Sequence, residues 1–236
     1  TGGSKSLLSG STAILAAAAA LRDRVLDWAA THWSLPRDAL AWHGAMLDVA
    51  TRRLTLPELA ALAMGAPGEA HPFDTETTAT VHTGTYGNGC HVCEVEVDPQ
   101  TGLTRVLAYV AVNDFGTLVV PELVLSQLHG GIAQGIGQAL HEDCRFDDRG
   151  HLWSADFGGY HLPQASQMPA LDVRFNGSRC TTNALGAKGC GEAGTSAAPP
   201  AVVNAVQHAL AEHTTAEVQM PATPQRVWRL LQQEAA

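Results

Sequence analysis

Between Pro121 and His141, apolar residues recur at helical spacing (Leu123, Leu128, Ile132, Ile136, Leu140), and the same stretch holds Gly130, Gly131, Gly135 and Gly137. Each glycine in a helix interior costs about 1 kcal/mol relative to alanine. Glycines packed this densely into one helix serve close backbone approach to another segment or to a ligand. Pro121 suits a first helical turn, where its missing N–H breaks no hydrogen bond. The segment therefore predicts a helix that must lie against something, and the rest of the chain has to supply it.

Other elements can be read around it. After a Gly/Ser-rich lead, Ser11 to Trp33 is rich in alanine and leucine, with Leu15, Leu21, Val25 and Trp28 on one face, predicting one long helix. Pro36 begins a turn, Ala41 to Arg53 alternates weakly like a small hairpin, and Thr55-Leu56-Pro57-Glu58 is a capping-box signature opening a helix to about Met64. Gly65 to Pro72 reads as a loop, and a subdivision of the chain falls near 65–80. From His91 the pattern becomes period two (Val92, Glu94/Val95, Glu96/Val97), then Asp98-Pro99-Gln100-Thr101-Gly102 turns the chain into Leu103 to Asp114, a hairpin. Cys144 to Phe146, His151 to Ala155 and Leu171 to Phe175 read as strands, Ala197 to about His213 as a helix, and a last helix starts at Pro224. Strands interspersed irregularly with helices indicate the α+β class.

Composition removes several functions. The formal net charge of -9 lacks the basic footprint of a nucleic-acid binder. The longest apolar run, Ala13 to Leu21, runs into Arg22, Asp23 and Arg24 and is too short for a membrane span. The start carries no secretory signal pattern, and five cysteines without disulfide-scaffold density favour a reducing compartment, so the cytoplasm is expected, with a periplasmic complex as the alternative. Cys90-His91-Val92-Cys93 has the spacing of a zinc half-site, but strand alternation places its thiols on opposite faces and no second ligand pair follows. No metal ligand is assigned. With 45% hydrophobic and only 16% charged residues, part of the surface is expected to be covered by another chain.

The segment richest in chemistry is Gly186-Ala187-Lys188-Gly189-Cys190-Gly191-Glu192-Ala193-Gly194-Thr195, a glycine loop presenting one acid just before a helix. A carboxylate there either caps the helix N-terminus or has a chemical role, and spacing alone leaves both open. The phosphate-loop pattern fails, because Lys188 precedes Gly189 and no hydroxyl follows it.

Lys188 to Gly194, with Ala198-Pro199-Pro200-Ala201-Val202-Val203-Asn204-Ala205, resembles the molybdenum-binding subunit of the xanthine dehydrogenase and aldehyde oxidase family. Asn88 to Asp98, Gln127 to Leu140, and Pro221-Ala222-Thr223-Pro224 with Val227-Trp228 resemble further blocks of that family, in the same order. The likeness covers essentially the whole chain, 1–236, but only the carboxy-terminal part of such a subunit: its molybdopterin-binding domain, of mixed strands and helices.

The resemblance implies a molybdenum hydroxylase that puts water-derived oxygen onto an aldehyde, a purine or another N-heterocycle. It implies that Glu192 is the active-site base, taking the proton from a metal-bound hydroxide whose oxygen attacks an electron-poor carbon while hydride passes to a sulfido ligand. A base of that kind works best with a pKa near the operating pH, so Glu192 is expected to be closed in among apolar residues and glycine backbone. The resemblance further places Gly2, Gly3, Ser4, Ser6, Gln134 and Lys188 against a molybdenum–molybdopterin cofactor in its cytosine dinucleotide form. It implies 2Fe–2S clusters and FAD on partner chains: an iron–sulfur subunit, a flavin subunit and the upstream molybdenum-domain region. Two other classes compete. A chain beginning at Thr1 could use that hydroxyl and its own α-amine as an N-terminal nucleophile hydrolase, and a scaffold could keep the fold without the chemistry.

Overall fold

The computed structural model describes residues 2–65, 70–81 and 83–232. The chain divides into two compact units, Ser6–His82 and Thr1–Lys5 together with Thr83–Ala236.

In the smaller unit a long helix, α1 (Lys5–Trp33), precedes β1 (Ala41–His43), β2 (Met46–Val49) and β3 (Arg52–Thr55), then α2 (Leu56–Ala63). The three strands form an antiparallel sheet in chain order. The capping box at α2 is complete: Thr55 Oγ1 accepts from the Glu58 amide at 3.4 Å and the Thr55 amide donates to Glu58 Oε2 at 2.8 Å. Val25, Ala29, Leu47, Val49, Leu59 and Phe73 make its core. The predicted hairpin thus carries a third strand. α1 begins six residues before Ser11, through a Gly/Ser-rich stretch whose intrinsic propensity does not announce a helix.

The larger unit is built on β4 (Asn88–Val97), β5 (Thr104–Asp114) and β6 (Leu171–Phe175). β4 and β5 form the predicted antiparallel hairpin, and β6 adds parallel to β5. One extra residue on β5, Leu107, faces the step from Glu94 to Val95; this bulge resets the alternation so that Val106 and Tyr109 are both buried. α3 (Pro121–Leu140) and α4 (Ala193–Ala209) complete the core, in which Tyr109, Ala111, Ile132, Ile136, Ala198, Val202 and Val206 meet Val227 of α5 (Pro224–Leu231). Cys90 is exposed on the outer face of the sheet, and Cys93 packs against the core on the other.

What lies against the glycine face of α3 is α4. A Cβ added at Gly135 would sit 2.6 Å from Ala198 Cβ and 2.9 Å from the Pro199 ring, and one at Gly194 would sit 2.7 Å from the Ile132 amide. The two helices therefore approach closely, and this packing accommodates Pro199 and Pro200 inside a helix that sequence reasoning opens only at Ala197. The expected strands at 144–146 and 151–155 reduce to one isolated bridge, Phe146 with Leu152, around the Asp147 to Gly150 turn. Among the described residues no helix is long and apolar enough to cross a membrane.

Candidate functional site

The glycine loop passes the end of β5 and leads into the start of α4, tied down along its length. Thr117 N donates to Gly186 O at 3.0 Å and Lys188 N to Phe115 O at 2.8 Å. The Gly189 amide donates to Thr85 Oγ1 at 3.2 Å, the Gly191 amide to Ser4 Oγ at 3.1 Å, and Gln127 Nε2 to Gly191 O at 2.7 Å. A Cβ on Gly189 would fall 2.5 Å from Ser4 Cβ, so the Gly3–Ser4 turn and the loop meet at a distance only glycine permits. Ser4 itself holds φ +52, a left-handed conformation costly for serine.

Glu192 follows as the residue preceding α4, and its side chain makes no capping hydrogen bond. Of the two roles the sequence left open, the cap is not the one it performs here. It lines two cavities that share Gly191, Glu192 and Ser196. One, of about 380 Å³, is bounded by Ser126, Gln127, Gly130, Gly131, Gln134 and Thr195. These are uncharged amides, hydroxyls and glycine backbone, with Glu192 the one ionisable side chain. Thr195 Oγ1 donates to Gln134 Oε1 at 3.2 Å, orienting that amide so that its NH₂ remains available.

The other cavity, of about 450 Å³, is bounded by Gly3, Ser4, Tyr86, Gly87, His91, Asn113, Phe115 and Glu192, among others. Two of its lining residues, His91 and Asn113, belong to a network spanning the hairpin: His91 Nδ1 lies 2.9 Å from the Tyr109 hydroxyl and His91 Nε2 lies 3.2 Å from Asn113 Oδ1. Burial pushes the His91 imidazole below its ordinary pKa against the opposing pull of Asn113, and burial pushes the Tyr109 phenol up. With Nε2–H donating to Asn113, the neutral ring accepts the Tyr109 proton at Nδ1. The Asn113 Nδ2 is buried and has no hydrogen-bond partner among the described residues.

Gly3, Ser4, Gln134 and Glu192 are thus brought to one locality. Gly2 is exposed beside them in the chain. Ser6 belongs to the smaller unit, and Thr1 lies outside the described residues. One expectation needs correction. Glu192 is exposed rather than enclosed, at the rim of the two cavities it lines. Lys188 lines neither cavity; its ammonium donates to Asp114 Oδ2 at 2.7 Å and to Ser178 Oγ at 3.0 Å. Sequence reasoning missed Thr85, Gln127, Thr195, His91, Asn113 and Asp114. For His91 a signal existed: in the hairpin register it faces Ala111, which places Tyr109 and Asn113 as its two diagonal neighbours on one face.

A family model described as the molybdopterin cofactor-binding domain matches residues 1–169. The nicotine 6-hydroxylase large subunit of Paenarthrobacter nicotinovorans is 38% identical over 144 residues, 61% of this chain and 18% of that subunit. The carbon monoxide dehydrogenase large chain of Afipia carboxidovorans is 30% identical over 149 residues, 63% of this chain and 18% of that one. Among solved structures, a Cu,Mo-CO dehydrogenase in its carbon monoxide reduced state superposes with TM-score 0.86 at 26% identity, over 98% of this chain and 30% of its own. Quinoline 2-oxidoreductase from Pseudomonas putida 86 does so with TM-score 0.79 at 31% identity, again over 98% and 30%. The chain accordingly spans less than a third of the length of these relatives.

Proposed function

The chain belongs to the molybdopterin cofactor-binding domain family, and we propose that it forms one wall of the cofactor site of a molybdenum hydroxylase and supplies that site's base, Glu192. The observation that carries this reading is the placement of Glu192 between two cavities, with no capping bond to occupy it.

The donor set fits a pterin–molybdenum group. Gln127, Gln134, Thr195 and Ser196 present neutral donors and acceptors to the smaller cavity, and Gly130 leaves open space where a Cβ would project. Neutral amides bind oxo and pterin edges without adding charge that would disturb a redox centre. Gly3 and Ser4 border the larger cavity, and Gly2 beside them in the chain brings a further small residue and backbone amide. When bound, the group supplies oxygen transfer and two-electron redox chemistry, in the cytosine dinucleotide form on this reading. The Glu192 carboxylate accepts a proton at its Oε atoms in the cavity that Phe115 and His91 also line. Closure of the site against water falls to chain beyond these residues, since Glu192 is exposed here. The substrate class is an electron-poor carbon of an N-heterocycle or an aldehyde, the former supported by the nicotine and quinoline enzymes among the relatives. On this reading iron–sulfur and flavin subunits carry the electrons away, in a cytoplasmic assembly or a periplasmic complex.

The test is Glu192→Gln in the complete subunit, with molybdenum content, pterin content and turnover measured together. Turnover falls by about two orders of magnitude or more while cofactor content holds, general-base catalysis being worth roughly 10²–10⁴. Near-normal turnover removes Glu192 from the mechanism.

A further inference from the structure

The Asp114–Lys188 pair is enclosed on both sides, with side-chain exposures of 17% and 11%. Asp114 closes β5 and uses both carboxylate oxygens. Oδ1 accepts from the Gly116 amide at 2.8 Å and the Ser178 amide at 2.9 Å; Oδ2 accepts from Ser178 Oγ at 2.5 Å and from Lys188 Nζ at 2.7 Å. Ser178 Oγ accepts in turn from Lys188 at 3.0 Å. Residues 64 and 74 positions along the chain are thus joined to the end of β5 at one carboxylate.

An ion pair partly withdrawn from water is a poor source of net stability, because desolvation offsets much of the attraction, and a neutral replacement often does as well. What such a pair supplies is a single arrangement. Here that arrangement concerns the root of the loop carrying Glu192, four residues on. Downstream of Lys188 the two glycines are held by side chains, Thr85 at Gly189 and Ser4 and Gln127 at Gly191, before the backbone bonds to itself again where Cys190 O accepts from the Ala193 amide and Glu192 O from the Ser196 amide. With glycine at 189 and 191, the loop has little conformational preference of its own. The path of the Gly189–Gly191 segment into Glu192 therefore depends on where its root is fixed.

From this geometry we infer that Asp114 and Lys188 are positioning residues for Glu192, and that Lys188 acts by clamping the loop rather than by touching the cofactor. The inference rests on Glu192 being the base, and its test separates the two claims. Lys188→Met alone leaves a partly buried carboxylate without its cation and can fail by misfolding, so the decisive variant is the neutral pair Asp114→Asn with Lys188→Met, in which the side-chain carbonyl oxygen introduced at position 114 still accepts from both backbone amides. It is prepared in the complete subunit and compared with Glu192→Gln. The neutral pair keeps molybdenum content, melting temperature and KM near wild type, lowers kcat by about tenfold to a hundredfold, as small misplacements of a reacting group do, and speeds hydrogen exchange at the Gly189 and Gly191 amides by about tenfold or more. Hydrogen exchange reads the clamp without reference to turnover, so it stands even if Glu192→Gln proves active. Unchanged loop protection with unchanged kcat overturns the inference. So does loss of molybdenum or pterin content with loop protection intact, which returns Lys188 to the cofactor.

Discussion

The carboxylate of Asp114 shows how a single residue ties stability to pH. Hydrogen bonds from Lys188 and Ser178 hold its pKa well below the usual carboxylate range, outweighing the opposing effect of burial. An acid whose folded pKa is depressed contributes stability that is fully present above its unfolded pKa, about 3.9, and lost as pH falls toward the folded value. Melting temperatures of wild type and Asp114→Asn should therefore differ most near neutrality and converge as pH falls below about 4. A gap that stays constant through the acid range contradicts this. At Gln134 the expectation is different: Thr195 already satisfies its carbonyl oxygen, so Gln134→Ala removes the free NH₂ and leaves the fold intact. Pterin retention during dialysis should fall, since a polar partner left unpaired loses about 1 to 3 kcal/mol. Unchanged retention places the cofactor elsewhere.

At the scale of elements, the glycines of α3 divide into two kinds, and substitution tells them apart. Gly135 faces α4, where a Cβ meets Ala198 at 2.6 Å, whereas at Gly130 a Cβ meets nothing within 4 Å. Gly135→Ala should destabilise the larger unit by about 1 to 3 kcal/mol through overpacking. Gly130→Ala should raise its stability by up to about 1 kcal/mol through helix propensity, while weakening cofactor retention, because the new methyl projects into the cavity beside Gln134. Thermal melts of both variants, with molybdenum content for the second, check the division. That α3 must pack closely was legible from its glycines; the identity of the partner was not, since Gly194 and Ala198 lie some sixty residues on. The α2 capping box and the β4–β5 hairpin were legible because their determinants sit within a few residues of each other. α1 was misplaced at its start because Ser9, Gly10 and Ser11 favour no helix by themselves. Glu192 was legible as an acid at a helix start. Its exposure, and the pairing of Lys188 with Asp114 across 74 positions, depend on segments that only the folded chain brings together.

Over the whole molecule, the surface sets the last expectation. On the outer face of the β4–β5–β6 sheet, Val92 pairs with Val110 and Cys90 with Val112, and Val92 is 60% exposed. Phe146, Trp153 and Phe157, at 63%, 67% and 83%, add aromatic surface around the Asp147 to Gly150 turn. Apolar area of this kind marks a covered face in the native assembly or an aggregation hazard outside it. Expressed alone, the 236 residues should self-associate and show neither molybdenum loading nor hydroxylase activity, because on the proposed reading Gly3, Ser4, Gln134 and Glu192 supply only one wall, and a metal site needs its opposite wall to be preorganised. Coexpression with the remaining molybdenum domain of a family subunit should restore solubility, pterin binding and turnover together, a ligand and partner stabilising the state they bind. Size-exclusion chromatography with metal analysis distinguishes the outcomes: a monomeric, molybdenum-loaded chain that turns over an aldehyde or heterocycle unaided shows that these residues hold the whole site, and the shared-wall reading then fails.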